Sequence, residues 1–353
     1  MRWYGSNGIL KNCNFINNTA KGAGGGVRWD GSNGNLINCI FITNTATING
    51  GAIDWTGANG KISDSIFTGN SANSSGGAIG WGGANGYNGS LIGCTFTGNV
   101  AYQGGAVYWN SARSTITNST FNKNTAKSSD GGAIAWYGPN GILSYSTFNS
   151  NTAGMSGGGI YWSAVNGTLT SSTFINNSAK SVGAYGGGAV YWGLVSNYGK
   201  LTNSIFINNT ATYGGGAVYC RGISTIITDS VFTNNIARYG GGIYEDTTNG
   251  TINNSIFTNN TATTNGGAVY LHIAGSITNC GFNNKWTNSN SKSNGICALS
   301  NLTLNGGKGI VDIFTNTNTI LSGISIVVLN NETYYYPPNT NINFHVKIIG
   351  NNE

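Results

Sequence analysis

The sequence predicts an all-β fold in which residues 1–285 form a right-handed parallel β-helix solenoid of about ten to eleven coils. Phenylalanine recurs with a period of about 26 residues, which is typical of a repeat array. Short apolar stretches lie between Asn-rich and Gly-rich turns, and they indicate strands because they lack helical periodicity. The recurrent phenylalanines are Phe15, Phe41, Phe67, Phe96, Phe121, Phe148, Phe174, Phe206, Phe232, Phe257 and Phe282.

Segments of fixed length within each repeat predict where the strands lie. An Ile or Leu precedes each of these phenylalanines by five residues, as Leu201 precedes Phe206. Both side chains can point inward only if the chain bends between them, and Asn203 is of a type that readily adopts a left-handed turn. We therefore expect a corner in every coil, at a position that also holds Asn12, Asn38, Asp64, Asn118, Asp229, Asn254 and Asn279.

A repeat of this length fits a coil of three short strands, each paired in parallel with its counterpart in the next coil. In-register stacking predicts a column of phenylalanine rings, an amide ladder at the Asn of each Phe-x-x-Asn, and a sharp turn at each Gly-Gly pair. Coils about 4.8 Å apart would make a rod on the order of 50 Å long. The handedness follows from the preference of parallel strands for right-handed connections. Longer spacings predict protruding loops at 82–90 and 178–188.

Composition limits the classes of function. Charged residues make up only 7% of the chain, and the net charge of +6 comes from scattered Lys and Arg. A nucleic-acid surface needs clustered basic residues, so we expect no nucleic-acid partner. No apolar stretch is long enough for a membrane helix, and we expect a monomeric rod that does not insert into a membrane. The chain begins within a repeat, which predicts a fragment of a longer protein.

Alternation after each Gly-Gly pair predicts one aromatic column and one aromatic surface. The Val or Ile points inward, so the next residue should face solvent and the residue after it should return to the interior. The returning residue is most often Trp, which predicts a structural column; a row of exposed, sugar-binding tryptophans is the alternative. The outward position often carries Tyr, which the core does not require. We predict an exposed, ligand-binding stripe at Tyr108, Tyr161, Tyr191, Tyr219, Tyr244 and Tyr270, against the alternative that Tyr simply suits a β surface.

Residues that could support catalysis or metal binding are few. Cys13, Cys39, Cys94 and Cys280 occupy a position that other repeats fill with Ser, so we interpret them as small interior residues. No pattern of His and Cys suggests a metal site, and we expect no cofactor. Glu245 and Asp246 are adjacent acidic residues and could in principle form a catalytic dyad. We interpret them instead as part of a solvated turn, because neighbouring side chains on a strand face opposite ways. The sequence therefore predicts no enzyme.

The repeated pairing of Phe-x-x-Asn with "GGAI" or "GGAV" resembles known surface proteins. The motif "GGA[IV]" occurs at 50–53, 76–79, 104–107, 131–134, 187–190, 215–218 and 266–269. With Phe-x-x-Asn it is similar to the passengers of chlamydial polymorphic membrane proteins. The repeats are also rich in Asn and Thr and carry a Trp after the motif, and in these respects the sequence resembles adhesin-like surface proteins of methanogenic archaea still more closely. Neither family's motif contains catalytic residues.

The resemblance implies a β-helix displayed outside the cell and used for adhesion. We therefore expect an extracellular, cell-surface chain that attaches to other cells, through surface glycans or proteins of a host or of other microbes. A polysaccharide-degrading lyase or hydrolase and a passive structural spacer are the alternatives. Residues 286–353 depart from the repeat, and residues 321–350 alternate like an antiparallel strand pair with a break at Pro337 and Pro338. We expect them to cap the rod or to begin an immunoglobulin-like stalk repeat.

Overall fold

The computed structural model describes residues 1–83, 87–181, 183, 185–273 and 275–282 with their side chains. It also describes the backbone of Asn283 and of seven short strands between 296 and 335. The described residues form β-strands and turns, stacked as a parallel β-solenoid of about 11 turns with a period of about 26 residues. The all-β solenoid expected from the sequence is confirmed.

The coils contribute strands to four parallel sheets of 13, 13, 12 and 10 described strands, which we name after the residue that each buries: tryptophan, leucine, phenylalanine and alanine. The sequence predicted three strands per coil, and that prediction is wrong because a full coil has four. The fourth strand is mostly a Thr-Ala or Ser-Ala pair after the Asn of Phe-x-x-Asn, as at Thr152–Ala153, and such a pair is too short to show alternation.

The strand bounds follow the repeat. The tryptophan sheet contains Arg2–Trp3, Val27–Trp29, Ile53–Trp55, Ile79–Trp81, Val107–Trp109, Ile134–Trp136, Ile160–Trp162, Val190–Trp192, Val218–Cys220, Ile243–Glu245, Val269–Leu271, Ile296–Ala298 and Ile313–Thr315. The leucine sheet contains Ile9–Lys11, Asn35–Ile37, Lys61–Ser63, Ser90–Ile92, Thr115–Thr117, Ile142–Ser144, Thr168–Thr170, Lys200–Thr202, Ile226–Thr228, Gly250–Asn253, Gly275–Thr278, Leu302–Asn305 and Thr319–Ser322. The phenylalanine sheet contains Asn14–Ile16, Ile40–Ile42, Ile66–Thr68, Thr95–Thr97, Thr120–Asn122, Thr147–Asn149, Thr173–Ile175, Ile205–Ile207, Val231–Thr233, Ile256–Thr258, Gly281–Asn283 and Lys308–Ile310. The alanine sheet contains Thr19–Ala20, Thr45–Ala46, Ser71–Ala72, Val100–Ala101, Thr125–Ala126, Thr152–Ala153, Ser178–Ala179, Thr210–Ala211, Ile236–Tyr239 and Thr261–Asn265.

Two aromatic columns fill the interior. Phenylalanine rings from Phe15 to Phe282 stack with centroids 4.6–5.2 Å apart and nearly parallel planes. Tryptophan rings from Trp3 to Trp192 stack at 4.5–5.4 Å, and the seven from Trp29 onward are fully buried. The structural column is therefore confirmed, and the exposed, sugar-binding tryptophan row is excluded.

The asparagine ladder is also confirmed, and it satisfies backbone groups as well as side chains. Asn151 Nδ2 donates to Asn177 Oδ1 at 2.9 Å and to the Phe121 carbonyl at 3.0 Å. Its Oδ1 accepts from the backbone N–H and the Nδ2 of Asn124. Because the ladder is buried, each amide replaces bonds that water would otherwise supply.

The corners have the backbone angles that the sequence predicts. Asn203 has φ +48°, and each other Asn and Asp of the expected corner position also has a positive φ. The Gly-Gly turn needs glycine for two separate reasons. Gly131 has φ +71°, whereas a Cβ on Gly132 would lie 2.0 Å from the Gly158 carbonyl oxygen of the next coil.

Four cysteines were expected to be interior residues, and three of them are. Cys39, Cys94 and Cys280 are buried and unpaired, and Cys13 is only partly buried because it lies in the first coil. The backbone N–H of Cys39 bonds to Ser65 Oγ at 3.0 Å, so the two residue types occupy equivalent positions. Among the described residues there is no group of three or more His, Cys, Asp or Glu that could hold a metal ion.

The C-terminal strands continue the stack before they leave it. Ile296–Ala298 pairs in parallel with Val269–Leu271 of the tryptophan sheet. Ile326–Leu329 then pairs antiparallel with Glu332–Tyr335, in agreement with the strand pair expected here. The boundary near residue 285, and the choice between a cap and a stalk repeat, stay predictions. Pro337 and Pro338, expected to break this pair, lie outside the described residues.

Candidate functional site

The outward tyrosines of the tryptophan sheet form a row. Parallel pairing sets Tyr161, Tyr191, Tyr219, Tyr244 and Tyr270 in register on five consecutive coils. Successive ring centroids are 4.4–5.3 Å apart. Tyr108 is separated from this row by an alanine, and the ring of Tyr137 lies between Tyr108 and Tyr161.

The expectation that this row is exposed is wrong for four of its six members. Tyr191, Tyr219, Tyr244 and Tyr270 are 2–6% exposed, whereas Tyr108 and Tyr161 are partly buried. A second layer of tyrosines covers them from the segment before each Gly-Gly pair: Tyr185, Tyr213 and Tyr239. Tyr185, for example, packs edge-on against Tyr191 with centroids 5.9 Å apart.

The phenol groups of these tyrosines stay neutral because they are shielded from solvent. Burial raises the pKa of Tyr191, Tyr219 and Tyr244, and that of Tyr108 and Tyr161 in the same direction. Neutral hydroxyls can both donate and accept hydrogen bonds. The face therefore combines flat apolar rings with uncharged polar groups.

A cleft opens on this face beside Tyr161 and Tyr191. Its volume is about 210 Å³. Its lining consists of Asp130, Met155, Ser156, Tyr161, Ser163, Tyr185, Tyr191, Leu194, Val195 and Arg221. It lies where the second tyrosine layer begins, since Tyr185 is the first of the three covering residues along the chain.

Two insertions in one coil build the walls of this cleft. Sixteen residues separate Phe174 from Val190, where twelve is usual, and this segment carries Tyr185. Nine residues separate Trp192 from Leu201, where seven is usual, and this segment carries the exposed Leu194 and Val195. The expectation of a protruding loop at 178–188 is wrong in part, because Ser178–Ala179 is a strand of the alanine sheet and Tyr185 packs against Tyr191 instead of protruding. Residues 182 and 184 lie outside the described residues. For the loop expected at 82–90, residues 84–86 lie outside the described residues.

Charged groups lie on two sides of the cleft. The Arg221 guanidinium lies 5.0 Å above the Tyr185 ring, and its Nε is 3.6 Å from Asp246 Oδ2. Burial opposes its charge, but hydrogen bonds with Tyr185 and Tyr191 raise the pKa of Arg221 above its ordinary value. Asp130 accepts a hydrogen bond from the backbone N–H of Ser156 at 2.9 Å, and burial raises the pKa of its carboxyl.

Sequence reasoning identified Tyr161 and Tyr191 in this cleft but missed Asp130, Tyr185 and Arg221. A signal for Tyr185 was present. Tyr precedes the glycines in "AYGGGAVY", "TYGGGAVY" and "RYGGGIY", three of the repeats that also carry an outward Tyr. Two insertions within a single repeat were a second signal.

Glu245 is not the solvated turn residue that the sequence suggested. It continues the tryptophan column after Trp192 and Cys220, and it is 1% exposed, whereas its neighbour Asp246 faces outward and contacts His272 Nδ1 at 2.6 Å. The Thr247 hydroxyl donates to Glu245 Oε1. The two carboxylates therefore do not form a catalytic dyad. Burial raises the pKa of Glu245 from 4.5 to about 8.

Glu245 should make the rod less stable as pH rises. Between about pH 4.5 and 8 the folded chain holds a proton that the unfolded chain releases, so the free energy of unfolding falls through this window. The loss should reach a few kcal/mol, at about 1.4 kcal/mol per unit of pKa. Urea denaturation of the parent and Glu245→Gln between pH 5 and 8.5 measures it. Gln should flatten the slope, leaving the part due to Asp54, whose pKa burial raises to about 6, and to Asp130, whose pKa burial also raises. Equal slopes would contradict this assignment.

Comparison with known proteins supports the chlamydial resemblance. The Chlamydia polymorphic membrane protein repeat matches residues 64–80, 93–108, 118–135, 203–221, 229–244 and 254–272. Each matched segment spans a Phe-x-x-Asn and the following Gly-Gly pair. The resemblance to these repeats is confirmed, and none of the comparisons bears on archaeal adhesin-like proteins.

One similar solved structure is a TibC-catalysed, hyper-glycosylated fragment of TibA. It is 10% identical to this chain with a TM-score of 0.27, and the match covers 89% of this chain and 99% of that one. A comparison with curated proteins gives no significant match. Within the described residues, no helix has the length and apolarity needed to cross a membrane.

Proposed function

We propose that this chain is an adhesin-like β-helix of the cell surface that attaches to other cells, or to surface glycans. Attachment occurs through the outer face of the tryptophan sheet, which carries the tyrosine row and the cleft. The observation that carries the proposal is the cleft. Two insertions bring Tyr185, Leu194 and Val195 to one opening, where they meet the rings of Tyr161 and Tyr191 and the charged groups of Asp130 and Arg221. The chlamydial repeats support it as well, since they are named for membrane proteins.

The acidic residues at the cleft favour attachment over catalysis there. Asp30 and Asp54 lie close together, because both contact Arg28 Nε, at 3.3 and 3.7 Å, but neither lines the cleft. Glycoside-cleaving enzymes commonly place two carboxylates about 5–10 Å apart on either side of the substrate. Asp64 and Asp229 share a corner position but lie six coils apart, roughly 29 Å at the spacing of strands. Glu245 is buried in the core, and Asp130 is the one carboxylate that lines the cleft.

An array of glycans and cell-surface proteins, probed with the intact chain, tests attachment. We expect reproducible binding to at least one class of glycan or to whole cells. Binding to nothing on the array or on cells would contradict the proposal and favour a passive spacer. Incubating the same preparation with acidic polysaccharides tests the enzyme alternative, because new reducing ends or unsaturated products would establish cleavage.

A further inference from the structure

We propose that the cleft beside Tyr161, Tyr191 and Arg221 binds a single acidic sugar, a pyranose that carries a carboxylate. This inference rests on the proposed function, since it names the class of ligand at the attachment site. The class includes uronic acids and sialic acids. Three properties of the cleft support it: its size, its aromatic walls and the placement of its charges.

The size of the cleft suits one sugar ring. Pockets for drug-sized ligands occupy about 300–1,000 Å³, and this cleft occupies about 210 Å³. Further rings of an oligosaccharide would extend out of the cleft past Leu194 and Val195, which are 61% and 55% exposed. The cleft is therefore suited to recognise one residue of a chain and to leave the remainder outside.

The aromatic walls suit the amphipathic faces of a pyranose. Tyr161 and Tyr185 are only partly buried, so their rings can contact the C–H face of a sugar, and their hydroxyls can bond to its hydroxyls. Tyr191 forms part of the same wall and is held by Tyr161 at 5.2 Å and Tyr185 at 5.9 Å. Because these rings are fixed by one another, binding requires little further ordering of the site.

Arg221 selects a carboxylate. Its planar guanidinium carries five N–H donors, more than its contacts with Asp246, Tyr185 and Tyr191 require, and the side chain is 26% exposed. A carboxylate can accept two of these N–H groups in parallel. The Tyr185 ring beneath the guanidinium fixes its orientation.

Asp130 sets the direction of the ligand. It precedes the strand Ile134–Trp136, whereas Arg221 follows Val218–Cys220, three coils further along the rod, roughly 14 Å at the spacing of strands. A carboxylate would be repelled at the Asp130 side and attracted at the Arg221 side. Asp130 and Ser163 are then placed to bond to sugar hydroxyls. A neutral sugar would offer Arg221 single hydroxyl oxygens as acceptors, but not the charged contact through two oxygens that a carboxylate makes.

The test compares two ligands that differ only at C6, where one carries a carboxylate and the other a hydroxymethyl group. Methyl β-glucuronide and methyl β-glucoside are titrated into the intact chain and followed by ligand-detected NMR, with methyl α-sialoside as a second acid. We expect at least one acid to bind about tenfold or more tightly than the glucoside. Arg221→Gln should remove this preference, and Arg221→Lys should keep part of it. The matched control is Arg113→Gln, which removes the same charge from an exposed position over Tyr87.

A second variant keeps the test valid if Arg221→Gln does not fold. Leu194→Asp adds a negative charge to the exposed wall of the cleft, so it should weaken the acid more than the glucoside and reduce the ratio of their affinities severalfold. Equal affinity for acid and glucoside, no binding of either acid, or an unchanged preference in Arg221→Gln would each overturn the inference. Binding to neutral glycans or cells under those outcomes would leave the proposed function intact.

Discussion

Gly132→Ala is expected to destabilise the rod by roughly 3 kcal/mol or more and to unfold its central coils first. A Cβ at this position would lie 2.0 Å from the Gly158 carbonyl oxygen and 2.6 Å from the Thr152 carbonyl carbon. Both atoms belong to the backbone of the next coil, so neither can move without disturbing the pairing between coils. Urea denaturation followed by circular dichroism measures the loss.

Gly22→Ala is the control for this substitution. No atom lies within 4 Å of a Cβ at Gly22, and its φ is not positive. The change should therefore alter the free energy of unfolding by no more than about 0.5 kcal/mol. If Gly132→Ala were as stable as Gly22→Ala, the close stacking of the Gly-Gly turns would be wrong.

Asn151→Leu should also cost several kcal/mol, because it removes the middle of the buried amide ladder. The Phe121 carbonyl loses its Nδ2 donor, and the Asn124 backbone N–H and Nδ2 lose their acceptor. Each buried polar group left without a partner costs about 1–3 kcal/mol. The measurement is urea denaturation, with hydrogen exchange at Asn124 as a local readout.

The matched control is Asn149→Thr, two residues earlier in the same coil. Asn149 lies on the outer surface of the phenylalanine sheet and bonds to Asn122 at 3.3 Å. Thr occupies the equivalent position in other repeats of the same sheet, at Thr68 and Thr97. We expect a change within about 0.5 kcal/mol. Equal losses in Asn149→Thr and Asn151→Leu would mean that the ladder does not stabilise the rod.

The interior was predictable because it is one-dimensional. A residue that recurs at a fixed distance from Phe must stack on its own copies, so the positions of Phe206, Asn209 and Asn203 follow from spacing alone. The fourth strand was missed because two residues cannot show alternation. The burial of Glu245 was not predicted, because an acidic residue was expected to face solvent. Its register with Cys220 instead places it in the tryptophan column.

The cleft was only partly predictable because it depends on segments of variable length. Alternation places Tyr191 on the outer face, and that placement is confirmed. Whether Tyr191 is exposed depends on where the chain around Tyr185 folds, and no periodic rule fixes the path of an insertion. Arg221 lies just past a strand end, so its direction follows from contacts with Tyr185 and Asp246 that the sequence does not display.

The central claim is that attachment occurs at the cleft, and cell binding by two surface variants tests it most directly. Leu194→Ser with Val195→Ser removes the exposed apolar wall of the cleft, whereas Tyr145→Ser removes a 67% exposed ring at the corner between the leucine and phenylalanine sheets. Both variants should fold like the parent, because they alter exposed side chains. We predict that the cleft variant loses most of the binding to cells or to the glycan found on the array, and that Tyr145→Ser retains it. Full binding by a folded cleft variant would contradict the claim.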